Sequence, residues 1–82
     1  MDKNTPKLNT PLSRLVDAFT EYKPYMQPGD LDSIALKSGN SRRTVEDYTN
    51  GKVLVIETGA KIFEVMRAII LERNKRVSEL VG

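Results

Sequence analysis

Cysteine, histidine and tryptophan are all absent from the 82-residue sequence. Without cysteine or histidine there is no disulfide, no zinc site of the usual kind, and no side chain of the commonest type for general-base catalysis. No run of about 18 apolar residues occurs, so no segment suits a membrane-spanning helix. The opening residues Met1 to Asn4 lack the apolar centre of a signal peptide. With no glycine-rich phosphate loop either, we expect a cytoplasmic protein that is not an enzyme and that uses neither a metal nor a cofactor.

The chain has room for one small domain. Hydrophobic residues make up 39% of it and charged residues 29%, a balance typical of a globular protein. A domain of this size buries only about 60% of the surface of its unfolded chain, so its core alone gives marginal stability. With disulfides and zinc excluded, a partner subunit is the remaining way to add stability. We interpret the polar, proline-containing residues 1–9 as a flexible N-terminal arm and residues 10–82 as a single domain.

The net charge is weakly basic, because 13 lysines and arginines face 11 aspartates and glutamates, which gives +2. The first thirty residues carry equal numbers of both signs, so the whole excess lies after residue 30. A balance of this kind permits nucleic-acid binding without requiring it.

Apolar periodicity and capping residues predict an all-α fold, a small domain of four or five helices that ends in a long C-terminal helix. Thr10-Pro11 is a strong helix start, because threonine caps free N–H groups and proline is tolerated at the first helical position. One apolar face then follows at helical spacing: Leu12, Leu15, Val16 and Phe19. Pro24 is expected to end this helix, since proline disfavours helical geometry in the residue before it.

Two short helices are predicted next. We expect Asp30 to cap the second helix and Gly39 to end it in the left-handed conformation. The third helix is expected from about Arg42 to Thr49, with Val45 and Tyr48 on its buried side. Tyr48 is therefore interpreted as a core residue rather than as a stacking platform for bases.

The segment 52–56 is ambiguous, because the four consecutive apolar residues that follow Lys52 suit either a short strand or the entry to a buried helix. We favour the start of the last helix, because a single strand without a partner is not viable. From about Ile56 to Arg76 the pattern is helical, with Thr58 as an alternative N-cap. Gly59 is a weak point in this helix, costing about 1 kcal/mol relative to alanine.

The segment 31–50 carries the functional signal. It reads LDSIALKSGNSRRTVEDYTN, which predicts two short helices joined by a tight turn. Ala35 is small enough for the helices to cross closely, Gly39 supplies a positive φ at the corner, and Val45 fills the angle between the helices. The pattern resembles the helix-turn-helix of DNA-binding regulators in the lambda-repressor-like and lac-repressor-like superfamily.

The resemblance implies a sequence-specific double-stranded DNA-binding protein, a repressor-like transcriptional regulator of phage, plasmid or bacterial origin. Its helix at about 41–50 would read the major groove, and the protein would associate with the nucleoid when bound. Arg42 and Arg43 are the best candidates for base or phosphate contact, and an arginine bidentate to guanine contributes about 1–3 kcal/mol of discrimination. Glu46 could accept a hydrogen bond from a cytosine amine. The remaining candidates are positioning contacts to phosphate: Ser41, Thr44, Lys37 and Lys52.

Three residues depart from this pattern. Asn40 stands where an apolar residue is usual, and Glu46 and Asp47 place negative charge on the third helix, although Asp47 can pair with Arg43 four residues earlier. The alternative hypothesis is a non-catalytic helical interaction or assembly protein, for example a phage-encoded one, that uses the same fold for protein contacts. Binding to mixed duplex at low salt separates the two hypotheses.

The last helix is apolar around most of its circumference. Between Ile62 and Leu71 only Glu64 and Arg67 are charged, whereas a helix lying on one small domain needs an apolar stripe only about 100° wide. The excess favours a homodimer over a monomer in which the first helix and the arm cover this segment. The predicted dimer interface consists of Val65, Met66, Ile69, Ile70 and Leu71.

Overall fold

A computed structural model of the chain describes residues 10–81, so the predicted arm at residues 1–9 lies outside the described residues. Between residues 10 and 81 the chain forms four α-helices, one short 3₁₀ helix and no strand. The helices are α1 (Pro11–Tyr22), α2 (Asp30–Ser38), α3 (Arg42–Thr49) and α4 (Ile56–Val81), and the 3₁₀ helix Lys23–Tyr25 follows α1 directly. The predicted all-α domain with a long C-terminal helix is confirmed.

The start of α1 follows the predicted capping chemistry. Thr10 has an extended backbone, and its hydroxyl accepts a hydrogen bond from the Ser13 N–H at 3.1 Å. Pro11 occupies the first helical position, where its missing N–H costs nothing. This helix ends before Pro24, which lies in the 3₁₀ helix.

The α2–α3 connection is a tight turn at Gly39. This glycine has φ +75°, and both its N–H and that of Asn40 donate to the carbonyl oxygen of Ala35, at 3.0 and 3.1 Å. The Asn40 side chain, unexpected at this corner, donates to the carbonyl and hydroxyl oxygens of Ser38. Hydrogen bonds from the Asn40 side chain therefore stabilise this turn, in place of the packing that an apolar side chain at this position would provide.

Asp30 does not cap α2, which corrects the prediction. It is the first helical residue, and the capping position belongs to Gly29 at φ +93°. The Asp30 carboxylate instead accepts the N–H of Gln27 at 2.8 Å and both terminal nitrogens of Arg73 on α4, at 3.0 and 3.1 Å. This nearly buried pair ties the start of α2 to the second half of α4.

The core lies between α4 and the three helices that it contacts. Its buried apolar residues are Phe19, Ile34, Val45, Tyr48, Val53, Ile62, Met66 and Ile70. Phe63 packs edge-on against both Phe19 and Tyr22, with ring centroids 5.4 and 5.2 Å apart. The predicted placement of Val45 and Tyr48 in the core is confirmed.

Residues 52–55 are neither helix nor strand, so the preference for a helical entry there is wrong. The side chain of Val53 is buried, while that of Leu54 is 86% exposed. The N–H of Val55 donates to the Tyr48 hydroxyl at 3.0 Å. A side chain of α3 thus satisfies a backbone N–H of this segment without a partner strand, and α4 begins at Ile56.

Gly59 lies where α4 comes closest to its neighbours. A Cβ added at this residue would lie 2.7 Å from Leu15 Cδ2 and 2.9 Å from Val53 Cγ1, both below normal contact distance. The leucine end can move, but a β-branched valine has little freedom at χ1. The glycine that the sequence pattern marks as a weak point therefore allows the close approach of α1, α4 and the 52–55 segment.

We expect Gly59→Ala to destabilise the domain by about 1 kcal/mol. Overpacking costs about 1–3 kcal/mol, which outweighs the gain of about 1 kcal/mol in helix propensity. Urea unfolding followed by circular dichroism measures the net change. A variant more stable than the wild type would show that propensity alone governs this site.

Candidate nucleic-acid interface

The first turn of α3 lies at the protein surface and begins with a well-formed cap. The Ser41 hydroxyl accepts the Thr44 N–H at 3.1 Å and donates to the Thr44 hydroxyl oxygen at 2.9 Å. Val45 and Tyr48 bury the opposite side of the helix, which fixes its rotation about its own axis. Arg43 therefore faces away from the buried side, whereas Arg42, three residues before Val45, is exposed at the end of the helix.

The two arginines are accessible. The side chains of Arg42 and Arg43 are 65% and 83% exposed. Glu46 is exposed one turn further along the same helix, and Asp47 is half-buried. The outer surface of α3 thus presents two guanidinium groups near its N-terminus and carboxylates in its middle.

Each arginine lies near a carboxylate of its own protomer. Arg43 Nε is 3.7 Å from Asp47 Oδ1, which confirms the predicted pair within α3. Arg42 Nε is 3.3 Å from Oδ1 of Asp32 on α2. Exposed pairs of this kind stabilise a protein by about 0–1 kcal/mol, so a phosphate or a base can compete for either guanidinium group.

Asp32 is the residue of this site that sequence reasoning missed. It lies ten positions before Arg42, too far for a rule based on helical spacing to connect them. An acidic residue in the first turn of a helix has an ordinary explanation in the helix dipole. Only the crossing of α2 and α3 brings the two side chains together.

The electrostatics of this turn favour anions. No acidic residue lies in the first turn of α3, and the first N–H groups of any α-helix lack intrahelical acceptors. Cationic residues at a helix N-terminus oppose the helix dipole, at a cost of about 0.3–1 kcal/mol. Two arginines at this end reduce helix stability, whereas together with the dipole they favour a negatively charged ligand.

The other candidate contacts come from elements on either side of this turn. Lys37 lies in the last turn of α2, and Lys52 lies just after Gly51, beyond the end of α3; both side chains are exposed. Lys52 also lines a groove of about 570 Å³ along α3, together with Thr44, Asp47 and Leu54. The structure therefore brings Ser41, Arg42, Arg43 and Thr44 into one turn, and places the lysines before and after it in the chain.

The predicted dimer interface on α4 needs correction. Met66 and Ile70 are 0% and 2% exposed within the protomer, so they belong to its core and are unavailable to a partner. Val65 and Ile69 are half-buried against the same core, while Leu71 is 40% exposed. The broad apolar circumference of α4 arises because three other helices pack on it within one chain.

Accessible apolar side chains lie instead at the two ends of α4. Leu54, Val55 and Ile56 are exposed at its beginning. The last turn of the helix exposes Leu80 and Val81, each by 80%, and Val77 is exposed one turn earlier.

Two other kinds of site are not found between residues 10 and 81. No helix in that range is both long and apolar enough to cross a membrane, and no cluster of acidic side chains there could hold a metal ion. Comparison with protein-family models, with curated proteins and with solved structures finds no match to this chain.

Proposed function

We propose that this protein binds double-stranded DNA in a sequence-specific manner and acts as a repressor-like transcriptional regulator. The observation that carries the proposal is the first turn of α3, where two exposed arginines follow a capped helix start on a helix whose other side is buried. A B-form major groove is about 12 Å wide and admits an α-helix. When such a helix enters the groove, cations at its N-terminal end lie close to phosphates and base edges.

The residues divide into reading and positioning contacts. Arg42 and Arg43 read base edges, since an arginine makes two hydrogen bonds to O6 and N7 of guanine. Glu46, one turn on, accepts from a cytosine amine and penalises other bases. The contacts that place the helix on the phosphates without specifying sequence are those of Ser41, Thr44, Lys37 and Lys52.

The charge balance supports selectivity over tight non-specific binding. Four cations lie on or beside α3, namely Lys37, Arg42, Arg43 and Lys52, and three carboxylates, Asp32, Glu46 and Asp47, lie among them. Each phosphate neutralised changes the salt slope of log K by about −0.9. We expect a slope no steeper than about −4 per protomer and weak affinity for unrelated duplex.

We further propose a homodimer in the cytoplasm, associated with the nucleoid when bound to DNA. Two copies of α3 about 34 Å apart would enter successive major grooves on one face of the duplex. At the end of α4, Val77, Leu80 and Val81 are exposed on one side of the helix, and we assign the contact with a second copy to them because Met66 and Ile70 belong to the core. Selection of bound sequences from a random duplex pool tests the arrangement, because a dimer recovers a palindrome.

Replacing both Arg42 and Arg43 by alanine is expected to weaken binding to the selected duplex by at least about 30-fold, since each arginine contributes about 1–3 kcal/mol. Fluorescence anisotropy with a labelled duplex measures the loss. The matched control is Lys61→Ala with Arg67→Ala, which removes two exposed cations from α4. If the arginine variant and this control bound the selected duplex with equal affinity, α3 would not be part of the DNA interface.

The second candidate function is a non-catalytic interaction or assembly protein. Two observations favour it: the carboxylates beside both arginines, and the exposed apolar side chains at both ends of α4. A DNA-binding protein retains at least micromolar to submillimolar affinity for mixed duplex, and low salt strengthens it. Absence of any binding by the wild type at low salt would favour the assembly function.

A further inference from the structure

In the ion pair between α2 and α3, Asp32 lies beside one edge of the Arg42 guanidinium. The closest approach to Asp32 is made by Arg42 Nε, at 3.3 Å from Oδ1. A guanidinium carries five N–H donors in a rigid plane, and its Nε edge and its terminal edge point in different directions. A carboxylate held at Nε leaves the terminal edge, with Nη1 and Nη2, available for two hydrogen bonds to guanine.

We propose that Asp32 is a positioning residue for base reading by Arg42, an inference that rests on the proposed DNA-binding function. A free arginine side chain samples many rotamers, and part of this conformational entropy is lost when a base is bound. Contact with Asp32 restricts the guanidinium beforehand, so less is lost on binding the correct base. The same negative charge repels phosphates and lowers affinity for every duplex.

The location of Asp32 distinguishes it from Asp47. Asp47 lies on α3 itself, four residues after Arg43, at the longer distance of 3.7 Å. Asp32 lies on a different helix, and the buried pair of Asp30 and Arg73 anchors the start of that helix to α4. Asp32 therefore holds Arg42 relative to the body of the domain. Both members of the pair are largely exposed, with Asp32 72% and Arg42 65% accessible, so a base can reach the guanidinium without displacing other side chains.

The test compares the wild type with Asp32→Asn on three duplexes: the sequence selected by the wild type, the same sequence with one guanine replaced, and mixed duplex. For Asp32→Asn we expect affinity for mixed duplex to rise about threefold, because a repulsive charge is removed. We expect the ratio of affinities for the selected and altered duplexes to fall about fivefold, because arginine–guanine discrimination is reduced. Asp32→Glu keeps the carboxylate and should keep most of the ratio.

The matched control is Glu79→Gln, which makes the same charge change near the end of α4, about 30 Å along that helix from Gly59. This control should leave the affinity ratio unchanged. The unfolding temperature of Glu79→Gln should equal that of the wild type, and that of Asp32→Asn should fall by no more than a few degrees, because a carboxylate in the first turn of α2 interacts favourably with the helix dipole. A fall in the affinity ratio for Asp32→Asn alone separates positioning from stability.

Three results would overturn the inference. Asp32→Asn would raise affinity for all three duplexes by one common factor if Asp32 were only a repulsive charge. Arg42→Ala would lower the affinity ratio equally in the presence and absence of Asp32 if the two residues were uncoupled. A wild type that binds none of the duplexes overturns the proposed function as well, and this appears before any variant is measured.

Discussion

Phe19→Ala is expected to remove most of the stability of this domain, lowering the free energy of unfolding by about 3–5 kcal/mol. Phe19 is completely buried and packs edge-on against Phe63 of α4 at a centroid distance of 5.4 Å. Truncation loses the transfer free energy of the ring and leaves a cavity between α1 and α4. Native domains have only about 0.05–0.15 kcal/mol of stability per residue, so a chain of this length has little to spare.

Urea unfolding followed by circular dichroism at 25 °C gives the size of this effect. Leu54→Ala is the matched control, because Leu54 is 86% exposed and surface substitutions stay within about 0.5 kcal/mol. Similar midpoints for Phe19→Ala and Leu54→Ala would mean that the α1–α4 contact is not the centre of the core.

The second large effect is expected for Asp30→Ala, at about 3 kcal/mol. The side chain of Arg73 is only 25% exposed; it donates to both Asp30 oxygens and also to the carbonyl oxygen of Tyr25. Removing the carboxylate leaves a partly buried guanidinium without its counter-charge and the N–H of Gln27 without its acceptor. Breaking a buried pair from one side costs about 3–5 kcal/mol, and the partial exposure of Arg73 places this one at the lower end.

The same carboxylate gives the stability a defined pH dependence. Burial by itself raises the pKa of Asp30, but the hydrogen bonds from Arg73 and from the Gln27 N–H, with the positive charge of Arg73, outweigh burial and hold the pKa below its ordinary value. A lowered folded-state pKa contributes stability above the unfolded value of about 3.9, and this contribution disappears as the pH falls through the folded value.

The direction of this pH dependence can be tested by measuring the free energy of unfolding of the wild type and of Asp30→Asn between pH 7 and pH 3. We expect the difference between the two proteins to be constant near neutral pH and to shrink below about pH 4. Taking the difference removes the titration of the other carboxylates, which is common to both proteins. A difference that stays constant down to pH 3 would contradict the assignment.

Local interactions explain what could be predicted from the sequence. The Thr10 cap, the proline at the first position of α1, the left-handed Gly39 and the bounds of α3 all depend on residues within four positions of one another. Short-range sterics and hydrogen bonds determine such features, so the linear sequence contains the information. The same reason applies to the first turn of α3. Its cluster could be predicted because the residues are adjacent in the sequence: Ser41, Arg42, Arg43 and Thr44.

Two predictions failed because they depend on tertiary contacts rather than on the local sequence pattern. Residues 52–55 stay outside the helix, where the Val55 N–H donates to the Tyr48 hydroxyl, a contact that local propensity does not reveal. The apolar circumference of α4 predicted a partner at Met66 and Ile70, but three helices of the same chain cover that surface. An apolar side chain needs burial, and the sequence does not specify which surface provides it.

The sequence by itself determined the helices, the caps of α1 and α3 and the exposed pair of arginines on α3, because each depends on backbone sterics and on a period of 3.6 residues. Only the tertiary structure decided which charged groups on different helices pair with each other. Asp30 meets Arg73 across 43 residues and Asp32 meets Arg42 across the α2–α3 turn. No local sequence pattern specifies which opposite charges on different helices come together. Their pairing follows from how the packed core brings the helices together.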